Sequence, residues 1–180
     1  MRRLNNKGGL NLPLIVFVLF AVILFRMQLE KFFNPAVYRG PWYTVTIPVG
    51  WEKKVLEDEV VFLSPELDIY TEMPEALFSI YSKKSDGSLF LGDLFVQVLK
   101  ELKKSGVKIL KQGDVDVDSQ RSKWVLVKNV EHELIILTFF IVDDFNRYTK
   151  IQFVANPEKF NEYRPAFEEF KGTFKFKRMF

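Results

Sequence analysis

The chain contains no cysteine and a single histidine among its 180 residues. Without thiols there are no disulfide staples, cysteine nucleophiles or thiolate metal sites, and no residue to carry the acyl chains of a lipoprotein. The lone His132 lies between Glu131 and Glu133 in a predicted hairpin turn, with no convergent partners for metal binding or acid/base work, and reads as an exposed turn residue. Also missing are a Gly-x-Ser-x-Gly elbow, a phosphate-cradling loop and a dinucleotide fingerprint. No repeat with a period of about 20 to 50 residues is present. No catalytic set, metal site or cofactor is therefore expected.

Charge of one sign is scarce once the chain is divided. The formal charge is +3, from 26 basic and 23 acidic residues. Residues 1–33 hold five Lys or Arg and one Glu, which is +4, so 21 basic and 22 acidic residues remain and the rest of the chain carries −1. That remainder has no basic stripe, so the counterion release that dominates nonspecific nucleic-acid affinity has no source. Nucleic acid is not an expected partner.

What the sequence does have is a long apolar run. Residues 12–25 read LPLIVFVLFAVILF, and extension to Leu10 and Leu29 gives twenty residues interrupted only by Asn11, Arg26 and Gln28. A membrane-spanning helix needs about 20 residues. Arg2, Arg3 and Lys7 precede the run, which places the N-terminus in the cytoplasm and the rest in the periplasm or outside the cell. Arg26, Lys31 and Arg39 on the other flank soften that charge difference. No small-residue cleavage site follows the run, so it reads as an uncleaved anchor. Lys7-Gly8-Gly9 before a hydrophobic stretch also resembles a prepilin leader, although Leu14 stands where pilins usually have Glu. A pilin-like structural subunit processed after Gly9 is the alternative.

The expected organisation is a basic tail at 1–9, a transmembrane anchor at 10–29, a tether at 30–41 and one folded domain at 42–178. With 48% hydrophobic residues and 19 Phe, that domain can build a core without metals. Period-2 alternation and apolar runs predict strands at 43–47, 60–63, 77–81, 107–111, 115–117, 123–130, 133–142 and 148–155. Residues 134–142 (LIILTFFIV) are almost wholly apolar, as expected of a central strand covered on both faces. The turns at Glu131-His132 and residues 143–146 predict antiparallel hairpins.

One helix is expected after a Ser88 cap, with Leu91, Leu94, Phe95, Val98 and Leu102 on its buried face and Gly106 closing it. A second should start at Asn156-Pro157 and bury Phe160, Tyr163, Phe167 and Phe170 as core, with a kink or restart at Pro165. A last strand is expected at 173–176. The fold class is α+β: an α/β/α sandwich, with helices on both faces of a mainly antiparallel sheet, preceded by the transmembrane helix.

Several motifs together resemble a known family. They are Ile47-Pro48-Val49-Gly50-Trp51 closing the first strand, the helix around Leu94 and Leu102, the strands around Trp124, Asn146-Arg147-Tyr148, and the Phe-x-x-Tyr-Arg-Pro-x-Phe segment from Phe160 to Phe167. Over residues 43–176 the chain resembles the PsbP-like superfamily. Its members include an extrinsic subunit of photosystem II, a Ran-binding import factor and small bacterial lipoproteins. The resemblance implies the sandwich and a role in binding or assembly, and supplies no catalytic residues. The apolar run stands where lipoprotein relatives carry the lipidated cysteine.

Three acidic groups have a spacing or clustering that could mark a site. Asp114, Asp116 and Asp118 have the spacing that opens an EF-hand loop, but Ser119 occupies the glycine position and Val125 that of the bidentate Glu, so these acids read as the solvated face of a strand. Asp143 and Asp144 are adjacent in a turn and cannot flank a glycosidic bond. The segment 64–76, carrying Glu66, Asp68, Glu72 and Glu75, reads as a long acidic surface loop and is the candidate protein-contact surface. The expected function is a non-catalytic, membrane-anchored, extracytoplasmic domain that binds a protein or supports an envelope complex. Carriage of a small apolar ligand in an aromatic pocket is the other alternative.

Overall fold

The computed structural model describes residues 36–85 and 87–177. The expected anchor at 10–29 lies outside the described residues, and no helix among the described residues is long and apolar enough to cross a membrane.

Among the described residues ten strands and two helices follow in the order β1 (Val37–Arg39), β2 (Tyr43–Thr46), β3 (Glu52–Val55), β4 (Glu59–Leu63), β5 (Ala76–Lys84), α1 (Leu91–Lys104), β6 (Lys108–Val117), β7 (Gln120–Asn129), β8 (Leu134–Val142), β9 (Arg147–Ala155), α2 (Pro157–Gly172) and β10 (Lys175–Phe176). Seven strands form one antiparallel sheet in the order β3-β4-β5-β9-β8-β7-β6, and β1-β2-β10 form a second, smaller one. The class is α+β, as expected.

Alternation along β8 divides the interior. Phe140 meets Phe95 of α1, with ring centroids 5.8 Å apart. Its neighbour Phe139 faces Phe167 of α2 on the opposite side, at 5.9 Å. One core therefore lies under α1, with Val125, Val127 and Phe140. The other, larger core lies under α2, where Phe153 stacks on both Phe160 at 4.7 Å and Phe167 at 5.2 Å. Both faces of β8 are covered, which is why its sequence tolerates no polar side except Thr138. It lies one place off the middle of the sheet, and β9 is the central strand.

Four local expectations are corrected. Residues 37–39 fall in the expected tether but form β1, pairing Val37 with Thr46 and Arg39 with Thr44; a three-residue strand is too short to register as periodicity. Strands expected at 107–111 and 115–117 form the single strand β6, with an irregularity between Ile109 and Lys111. Gly113, between the two expected strands, is needed there because a Cβ would sit 2.9 Å from Trp124 Nε1. Phe90 precedes α1 in the cap position and no side chain caps the helix, so Ser88 does not serve. Pro165 neither restarts nor divides α2, which is continuous across it. The four buried aromatics on one face of α2 outweigh the hydrogen bond that proline removes.

Candidate functional site

The segment 64–76 is a continuation of the β4–β5 hairpin. Backbone hydrogen bonds run from Ser64 N to Ala76 O, Glu75 N to Glu66 O, Asp68 N to Met73 O and Glu72 N to Asp68 O. At the tip Asp68 Oδ1 accepts from the backbone N–H of Tyr70 and Thr71, both at 2.9 Å, and from the Thr71 hydroxyl. These donors, the Thr71 N–H first, hold the Asp68 carboxyl below its ordinary range. Glu72 completes the turn at φ 56°.

The four acids do not share one surface. The Tyr163 hydroxyl of α2 lies 2.9 Å from Glu66 Oε2 and 3.0 Å from Glu75 Oε2, and Lys159 Nζ lies 3.1 Å from the same Glu75 oxygen. Desolvation first, then these carboxylates, push the Tyr163 hydroxyl well above its usual range, so it stays a donor. Glu66 and Glu75 therefore bolt the hairpin to α2, Asp68 builds the turn, and Glu72 is left exposed. Beside the exposed Glu66, Thr71 and Glu72, the tip offers large apolar groups to solvent: Ile69 is 84% exposed and Tyr70 89%, with Leu67 and Met73 also exposed.

A second feature lies at the other end of the β4–β5 hairpin. A cleft of about 490 Å³ is walled by Tyr38, Trp42, Tyr43, the β3–β4 turn and residues 82–84. Gly40 allows the Tyr43 ring to lie across it, since a Cβ there would stand 2.8 Å from Tyr43 Cζ. Burial, then the neighbouring Tyr38 and Glu59, keep the Tyr43 phenol protonated far above neutral pH. At the rim Val55 is 60% exposed and Leu56 56%, beside the exposed Glu57 and Asp58. Lys83 and Lys84 stand on the opposite wall.

Trp42 is fixed by a buried clamp. Arg147 is 1% exposed and pairs through Nε and a terminal nitrogen with the buried Asp143, whose Oδ1 also accepts from the backbone N–H of Phe145 and Arg147. The guanidinium sits among aromatic rings: Phe145 at 5.0 Å, with Trp42 and Phe176 each at 5.7 Å. Lys177 then ties the chain end to the cleft, its N–H donating to Trp42 O at 2.8 Å and its ammonium to Gly40 O at 2.6 Å. Sequence reading missed this cleft. Its one available signal was three aromatic residues, Tyr38, Trp42 and Tyr43, within six positions.

The remaining residues singled out from the sequence do not converge. Asp118 accepts from Phe176 N and pairs with Lys175, so it secures β10, while Asp114 pairs with Lys123. Asp143 belongs to the clamp, Asp144 is exposed, and His132 is exposed at the β7–β8 turn. Among the described residues no three His, Asp or Glu side chains are grouped to hold a metal ion. A larger groove of about 700 Å³ between Leu91 and β6–β7 is lined by Asp114, Asp116, Arg121 and Lys123, charges of opposite sign with no aromatic anchor.

Comparison with solved structures decides the fold. Cyanobacterial PsbP from Synechocystis superposes with a TM-score of 0.57 at 14% identity, over 79% of this chain and 92% of that one. The described domain has the PsbP-like fold. A Pseudomonas aeruginosa protein of unknown function, PA94, shares the PsbP-like fold at TM-score 0.57 and 18% identity, over 81% and 99% of the two chains. The Saccharomyces cerevisiae Ran-binding protein Mog1p matches at TM-score 0.50 and 11% identity, over 79% and 95%. No family model and no curated protein matches the sequence. At these identities the PsbP-like fold is what is shared.

Proposed function

We propose that this chain is a non-catalytic contact domain, held at a membrane by residues 10–29 on the extracytoplasmic side, and that it binds a protein partner at the cleft walled by Tyr38, Trp42 and Tyr43. The observation that carries the reading is the composition of that cleft. Aromatic side chains on a rigid floor, beside exposed Val55 and Leu56 and ringed by Glu57, Asp58, Lys83 and Lys84, have the make-up of an interface core with a polar rim. The floor is held by a buried ion pair and by the chain end, so little ordering entropy is lost on binding. One fold relative is a Ran-binding protein, which fits a partner-binding role and identifies no partner for this chain. The membrane and orientation rest on the apolar run and the positive residues before it.

The test is affinity capture from native membranes with the full chain and two surface variants. Leu56→Asp places a charge in the rim, and Val96→Asp places one on the exposed face of α1. A partner retained by wild type and by Val96→Asp but lost with Leu56→Asp supports the cleft. Equal retention by all three excludes it.

A further inference from the structure

Strand pairing and chain connection link Val37, through β2 and β3, to the base of the β4–β5 hairpin extension. Val37, the first residue of β1, is paired with Thr46 at the end of β2. From Thr46 the chain passes through Pro48, whose carbonyl accepts from Trp51 N, and starts β3 at Glu52 opposite Leu63. Leu63 leads directly into the hairpin extension. Gly50, at φ 83°, comes so close to it that a Cβ would lie 3.7 Å from Pro65 Cγ. Trp51 fixes this junction, stacked on Phe78 at 4.1 Å and set edge-on to Tyr163 at 5.9 Å. Val37 and Val49 are exposed, as are Leu67, Ile69, Tyr70 and Met73 of the hairpin tip.

We propose that this tip, with Ile69, Tyr70 and Met73 foremost, seats in the headgroup region of a lipid bilayer, as a second membrane contact beside the anchor. The inference rests on the anchor reading. Seven residues separate Leu29 from Val37, and a fully extended chain covers at most about 3.6 Å per residue, so Val37 stays within roughly 30 Å of the anchor's end. A tyrosine flanked by aliphatic side chains suits the apolar-to-wet boundary of the headgroups. The carboxylates that would oppose insertion are engaged: Glu66 and Glu75 on Tyr163, Asp68 in the turn. Glu66 and Glu72 remain exposed, so a neutral lipid surface is favoured over an anionic one. The turn's hydrogen bonds present these side chains already ordered.

The absence of cysteine makes the test direct. The full chain is reconstituted into phosphatidylcholine vesicles carrying one environment-sensitive fluorophore, at Tyr70→Cys or, as control, at the exposed Asp144→Cys in the β8–β9 turn. The expected result is flotation with the vesicles, a blue-shifted Tyr70 label shielded from iodide and quenched by a nitroxide on the lipid chain, and an Asp144 label that remains aqueous. Replacing Ile69 and Met73 by Ser should return the Tyr70 label to the aqueous spectrum. Failure to float overturns the anchor reading and this inference with it. Flotation with a Tyr70 label as exposed as the Asp144 label overturns the lipid contact alone. Shielding from iodide without quenching by the lipid nitroxide means that a second copy covers the tip, and also overturns it.

Discussion

Arg147→Met should destabilise the domain by about 3–5 kcal/mol, the usual cost of removing one partner from a buried ion pair. Both side chains of the Asp143–Arg147 pair are 2% exposed, so water cannot replace the lost guanidinium. The Asp143 carboxylate would keep only the backbone N–H groups of Phe145 and Arg147 as donors. The three surrounding rings would lose their cation, at about 0.5–2 kcal/mol per contact, partly repaid by methionine's own packing. Against a total stability of about 5–15 kcal/mol the change is large. For a domain of this size it corresponds to a fall in melting temperature of roughly 10–15 °C. The assay is urea or thermal unfolding of the full chain in detergent, followed by tryptophan emission, since Trp42 packs on the clamp. Asp143→Leu combined with Arg147→Met, which leaves no unpaired charge, should recover most of the loss. A single variant as stable as wild type, or a double variant worse than the single, would refute the view that the penalty is an unpaired buried charge.

Three further outcomes follow from local geometry. Tyr163→Phe removes the hydroxyl between Glu66 and Glu75 and should cost about 1–3 kcal/mol, with faster amide exchange confined to residues 64–76; uniform exchange would contradict a local bolt. Asp68, whose carboxyl is depressed in the folded state, stabilises its turn above the ordinary carboxylate range, and that contribution is lost as pH falls through the depressed value. The amide resonances of Tyr70 and Thr71 should therefore stay unchanged to below about pH 4, and movement near neutrality would contradict the assignment. Gly113→Val, which drives a branched side chain into the Trp124 indole, should destabilise by about 1–3 kcal/mol and shift tryptophan emission; an unchanged spectrum would show that β6 yields freely.

The sequence carried most of the fold because long elements announce themselves. Phe160, Tyr163, Phe167 and Phe170 recur at helical spacing, and β8 is apolar on both faces because two cores need it so. Short or edge elements left no such mark: β1 has three residues, and β3 reads Glu-Lys-Lys-Val with every side chain exposed. Side-chain direction was the other blind spot. Four carboxylates within ten residues read as one acidic surface, yet pairing across the hairpin turns Glu66 and Glu75 toward Tyr163, 88 or more positions away in sequence. Asp143 reads as an ordinary turn residue and Arg147 only as part of the Asn146-Arg147-Tyr148 motif, because nothing nearby foretells that Trp42 and Lys177 close over them. The cleft joins residues 38–43 to 55–60 and 82–84, and such long-range convergence has no periodicity to reveal it.

We propose a protein contact at the aromatic cleft of a membrane-held domain. Its most direct measurement is site-specific photo-crosslinking in native membranes, with the photoreactive residue at Leu56 in the rim or at Val96 on α1. A discrete heavier adduct from Leu56, absent from Val96 and diminished when Arg147→Met loosens the cleft floor, is the predicted result. No adduct at Leu56, or the same adducts from both positions, would contradict it.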